Sequence, residues 1–157
     1  MSCCDKTQTY VGDNGDLFIG DVDTGVYSEN AYLICTVPNN NYDANLTLTQ
    51  ALVNGNDAVL TNPTTITLAQ GKRYRIIFNA NIEPTAALPI VVKILINGAE
   101  SKIFTTLANA VPNSFYNVTL VTYYDSNSGS VTLQVANTSS SPFYQVGSLE
   151  VDTIGNS

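Results

Sequence analysis

Histidine and tryptophan are absent from this 157-residue chain, and charge is scarce, with six lysines and arginines against thirteen aspartates and glutamates and a net charge of −7. Without histidine no Ser-His or Cys-His nucleophile pair can form, and three separated cysteines are too few soft ligands for a zinc site within one chain. The lack of a basic surplus argues against nucleic-acid binding through a cationic patch. The balance favours a neutral or cationic partner, or a like copy. No apolar run approaches membrane-span length, so no membrane partner is expected.

The opening MSCCDKTQTY has neither the basic start nor the apolar stretch of a secretory signal. If Met1 is the true start, synthesis is cytosolic and release by lysis would carry the protein to a cell or spore surface. A signal removed ahead of the numbering would do the same.

The carboxylates Glu29, Glu83, Glu100 and Glu150 are scattered among strands and loops, which favours a solvated surface over a glycosidase pair. No catalytic residue, metal or cofactor is expected. Asp13, Asp16, Asp21 and Asp23 lie close together, and DVDTG matches the opening of a calcium loop. It lacks the third ligand before the glycine and the closing glutamate, so turn chemistry is the better reading.

What is present is asparagine, threonine, valine, isoleucine and tyrosine in a mix that opposes helix and favours strands joined by tight turns. Period-2 alternation predicts strands at 16–19, 27–37, 45–53, 64–68, 72–82, 90–97, 101–106, 115–124, 130–137 and 144–154. In the fifth of these, Tyr74, Ile76, Phe78 and Ala80 share a face, which marks a central strand. Asn97-Gly98 is the strongest hairpin signal. About ten residues per strand with no helical stretch predicts an all-β, two-sheet sandwich, with jelly roll as the leading topology. The chain is long enough for one domain to fold without internal staples.

Residues 5–15 break this rhythm. They are polar, carry Gly12 and Gly15 as hinges, and offer only Tyr10 and Val11 as apolar anchors for docking. The reading is an N-terminal connector arm over 1–15 and a β-domain over 16–157, with a frayed terminus as the plainer alternative. Extended, eleven residues span on the order of 36 Å, enough to reach a neighbouring subunit. Cys3 and Cys4 stand at the start of this arm. Adjacent cysteines pair poorly with each other, because their Cα atoms sit closer than disulfide geometry allows, so each seeks a partner elsewhere or stays a free thiol. The third cysteine, Cys35, lies inside a strand-like run.

Tyr42, Tyr116, Tyr123, Tyr124 and Tyr144 could line a sugar platform or a contact between subunits, although most are expected to fill strand faces. Tyr123 and Tyr124 must point to opposite sides of a regular strand. The sequons at Asn45, Asn117 and Asn137 are triplets that an Asn- and Thr-rich chain produces by chance.

The Cys-Cys pair on a short polar leader, ahead of a compact β-domain, resembles the pilin-like subunits of endospore appendages, the Ena proteins of spore-forming Bacillota. That resemblance implies a jelly-roll subunit whose connector cysteines bond to other subunits of a fibre. Cys3 and Cys4 would be the connector cysteines and Cys35 the acceptor on the domain wall, in intermolecular disulfides. Departures from the family pattern are Ser2 ahead of the pair and the distance to Cys35. The function implied is head-to-tail homopolymerisation into an extracellular fibre, as a helix or stacked rings, with a fibre anchor or tip protein as a further partner.

The closing segment, GSVTLQVANTSSSPFYQVGSLEVDTIG, also looks like the last strands of C1q/TNF-like domains that cap collagen-like spore-surface filaments. This implies the alternative of a trimeric tip or adhesive module, although no Gly-X-Y stalk is present. A carbohydrate-binding sandwich using exposed tyrosines is a third reading, weakened by the missing tryptophan.

Overall fold

A computed structural model describes residues 7–11, 17–21, 30–39, 43–106, 109–137 and 143–157; for 7–11, 17–21 and 143–145 it describes the backbone alone. The strands are β1 (Thr7–Val11), β2 (Leu17–Asp21), β3 (Tyr32–Val37), β4 (Thr49–Asn54), β5 (Ala58–Asn62), β6 (Thr65–Leu68), β7 (Lys72–Pro84), β8 (Val91–Ile96), β9 (Ala99–Thr105), β10 (Tyr116–Asp125), β11 (Val131–Asn137) and β12 (Phe143–Asn156). Ten of them form two five-stranded antiparallel sheets. Sheet I has the order β10-β7-β12-β3-β4 and sheet II the order β5-β6-β11-β8-β9.

Strict alternation turns one face of each sheet inward. From sheet I come Leu33, Tyr74, Ile76, Phe78, Leu149 and Val151, and from sheet II Ile66, Leu68, Val92, Ile94, Leu133 and Val135, all buried. Each large side chain moved out of water contributes about 1.5–3 kcal/mol, so this shared layer holds the sandwich closed. The buried Tyr74 hydroxyl is satisfied, because it donates to the Asp57 carbonyl at 2.7 Å, with the Ala69 carbonyl 3.1 Å away. Burial, together with the charge of Asp57, pushes that phenol up to about 12. Buried Ser126 ties the turn into β7, accepting from the Lys72 N–H at 3.0 Å and donating to the Ala69 carbonyl at 2.6 Å.

Two local features follow directly from residue chemistry. Asn97 and Gly98 take φ values of 51° and 75°, the left-handed pair that a two-residue hairpin needs, and they join β8 to β9. The Asn97 side chain then accepts the Thr132 N–H at 2.9 Å, fastening the hairpin tip to β11. On β12, Gly147 is pressed against β7, where an added Cβ would lie 2.2 Å from the Asn79 carbonyl oxygen.

Sequence and structure part at three places. Residues 45–48 are not strand. Asn45 makes only an isolated bridge to Ala136, and the N–H groups of Leu46 and Leu48 donate to Val135 and Pro63 while their side chains plug the core. β5 falls where Asn, Gly, Asp and Pro crowd the sequence, between the strands expected at 45–53 and 64–68. The connector stretch contains β1, which pairs with β2 from Thr7↔Asp21 to Val11↔Leu17. Its Thr, Tyr and Val content suits a strand once a partner lies alongside.

Candidate functional site

The outward face of sheet I is banded. Cross-strand registers place Val121, Ile77, Glu150, Ile34 and Leu52 side by side, one residue from each of the five strands. Four of the five are apolar; Leu52 is 57% exposed and Val121 39%. The next row toward the β3 start is Tyr123, Arg75, Asp152, Tyr32 and Asn54. The neighbouring row on the other side is polar and uncharged, Thr119, Asn79, Ser148 and Thr36, and beyond it come Asn117, Asn81 and Val146. An open groove of about 380 Å³ runs over Gly147 between Asn79, Asn81, Asn117, Thr119 and Ser148.

Charge on this face is concentrated and nearly balanced. Arg75 holds Asp152 at 2.5 Å and reaches Glu150 at 3.7 Å, while Arg73 forks onto Asp125 at 2.7 and 3.4 Å. Glu150 is left with the weaker share of Arg75. Its carboxyl lies above the ordinary range, because partial burial among apolar neighbours and the adjacent Asp152 outweigh the pull of Arg75.

No family model matches the chain, and no curated protein matches it in sequence. Solved structures do resemble it. The globular domain of a zebrafish complement 1qA protein aligns with a TM-score of 0.60 at 10% identity, covering 82% of this chain and all of that one. A murine APRIL structure aligns at 0.53 and 8% identity, covering 80% of this chain and 100% of that one. A pika GITRL structure aligns at 0.50 and 12% identity, covering 80% and 98%. The chain has a C1q/TNF-like jelly-roll fold. At such identities the likeness is one of fold alone.

Within this C1q/TNF-like sandwich the sequence candidates separate. Cys3, Cys4, Gly12, Gly15 and Tyr42 lie outside the described residues, as do Asp13, Asp16, Asp23 and Glu29. Tyr10 and Val11 end β1, and Asp21 ends β2. Cys35 is a free thiol, 0% exposed, on the inner face of β3, and burial pushes it up to about 11. A thiol so placed has no surface on which to meet another chain's cysteine while β3 stays in its sheet. Alternation within Leu33, Cys35 and Val37 carries the signal for that inward position.

The tyrosines do not gather into one platform. Tyr123 points outward at 65% exposure, while Tyr124 and Tyr116 pack against the core, the latter accepting the Val111 N–H at 2.7 Å. Tyr144 pairs with Glu83 in β12. Among the sequons, Asn117 lies on the outward face of sheet I, whereas Asn137 is buried.

Among the described residues no group of three or more Cys, Asp or Glu side chains could hold a metal, and no helix is long and apolar enough to cross a membrane. Glu100 pairs with Lys93 on sheet II. The sequence shows Glu150 only as one of four scattered carboxylates, because the apolar residues beside it, Ile34 and Ile77, arrive from other strands.

Proposed function

We propose that this chain is a self-associating C1q/TNF-like module, a structural rather than catalytic protein, in which copies pack through the outward face of sheet I. The observation that carries this reading is the apolar row Val121, Ile77, Ile34 and Leu52, which crosses the sheet where solvent would otherwise lie. Five strands at ~4.8 Å and about eight residues at ~3.3 Å give a face of roughly 600 Å² in projection. That approaches the ~800 Å² per partner of a stable interface once side-chain relief is added. A like copy fits this face because both guanidinium groups are already paired, which leaves one carboxylate in excess on each copy. The C1q/TNF-like resemblance implies a threefold arrangement.

The Cys3-Cys4 pair favours a second, finer reading, in which disulfides between leaders join the modules into an extracellular fibre on a spore or cell surface. With Cys35 enclosed, the pairing partners are the leader cysteines of other copies. Two thiols per leader allow each copy to be joined to two others, so such links extend from copy to copy.

Sedimentation of the purified protein, with and without strong reductant and for Cys3→Ala/Cys4→Ala, tests both readings, with electron microscopy and a non-reducing gel alongside. Trimers that persist in reductant are expected from the domain, and long fibres with a gel ladder that vanish in the double variant are expected from the leader. A monomer under every condition overturns the first reading, and fibres indifferent to reductant and mutation overturn the second.

A further inference from the structure

The apolar row has one charged member at its centre. Glu150 stands between Ile77 of β7 and Ile34 of β3, with Val121 and Leu52 at the ends of the row. The charged and titratable groups around it on this face are Arg73 and Arg75 from β7, Asp152 on its own strand, Tyr32 from β3, and Tyr123 and Asp125 from β10; β4 carries none. Arg73 is taken by Asp125, and Arg75 is committed to Asp152 at 2.5 Å. Three carboxylates therefore share two guanidinium groups, and Glu150, at 3.7 Å, is the one left short.

A face covered by a second copy loses the water that solvates this surplus charge. Burying an ionised carboxylate without a full partner is costly, whereas the protonated acid is neutral and can donate a hydrogen bond. In a symmetric assembly each copy also brings its own Glu150 toward the same interface, adding repulsion between like charges. Both effects favour the protonated form in the assembled state. We infer that copies meeting across this face take up protons at Glu150, so that self-association tightens as the solution is acidified.

The sign follows from linkage. A carboxyl group that binds its proton more tightly in the assembly than in the free module adds to association as pH falls through the assembled-state value. It adds nothing at pH high enough to ionise both states. The aspartate next to it sets where this happens. Removing its charge with Asp152→Asn frees Arg75 for Glu150, which stabilises the ionised form and moves the response to lower pH.

This inference rests on the self-association reading, and one experiment separates the two. The association constant of the full chain is measured by sedimentation between about pH 7 and about pH 5, above the ordinary glutamate value of ~4.3. The series is repeated for Glu150→Gln and Asp152→Asn, each checked for folding by circular dichroism. Wild-type association should tighten at least tenfold, a change of about 1.4 kcal/mol. Glu150→Gln should associate at pH 7 about as tightly as the wild type does at pH 5, with its slope largely lost. Asp152→Asn should shift the transition downward.

An assembly whose strength is indifferent to pH overturns the inference and leaves the self-association reading standing, as does a Glu150→Gln variant that keeps the full wild-type slope. A protein that stays monomeric at every pH overturns both. Should Glu150→Gln fail to fold, the Asp152→Asn series decides: a downward shift supports the inference, and an unmoved transition overturns it.

Discussion

The two outward faces of the sandwich are built from equal numbers of strands yet meet their surroundings differently. On sheet II the hydroxyl and amide groups bond to one another. Thr61 Oγ1 lies 3.2 Å from Thr67 Oγ1, Gln134 Nε2 donates to Thr65 Oγ1 at 3.1 Å, and Thr132 leans on Asn97. Its exposed apolar residues Val59 and Ile103 stand opposite Thr67 and Lys93 and form no row across the sheet. On sheet I apolar residues of four strands line up in one row, with Glu150 of β12 among them and further charge gathered beside them. A β-sandwich needs only its inner faces to fold, so the outer faces are free to diverge, and the proposed self-association rests on the difference between them.

The sharpest way to break that contrast is one charge on each face. Ile77→Asp should weaken self-association by at least about a hundredfold, because a carboxylate is buried unpaired at the contact. Thr132→Asp on sheet II should leave it unchanged, and sedimentation of both variants reads the outcome. Equal losses from the two substitutions would erase the distinction between the faces.

The layer the two sheets share is tested through Cys35. Its folded-state value of about 11 lies above the ordinary 9.0, so the stability it contributes is full below about pH 9 and is lost as pH rises toward 11. The loss is on the order of 2–3 kcal/mol, at about 1.4 kcal/mol per unit. Denaturant unfolding of the wild type against Cys35→Ala should show the extra alkaline decline in the wild type alone.

The smallest effect is expected on sheet II. Thr61→Val removes exposed hydroxyl contacts and should change unfolding free energy by no more than about 0.5 kcal/mol, with assembly untouched.

Much of the frame was legible because alternation reports directly on burial. Tyr74, Ile76, Phe78 and Ala80 do share the inner face of β7, and Asn97-Gly98 does turn β8 into β9. The boundaries at 45–48 misled because Leu46 and Leu48 alternate like a strand while their amides bond outside any ladder. β5 was hidden by turn-forming neighbours that here only bracket a five-residue strand, four residues of which pair with β6. The candidate face was the least legible part. Its row takes one residue from each of five strands separated by tens of positions, and only register brings Glu150 between Ile34 and Ile77. The likeness of the closing segment to C1q/TNF-like strands, by contrast, pointed to the fold that β11 and β12 help to build.

The enclosure of Cys35 bears on the order of events in the protein's making. A domain whose thiol closes into the core as the sheets meet needs no oxidation step to reach its fold. An oxidant arriving later finds that sulfur already shut away. Once the sheets have met, a disulfide to Cys35 would require β3 to leave its place in the sandwich.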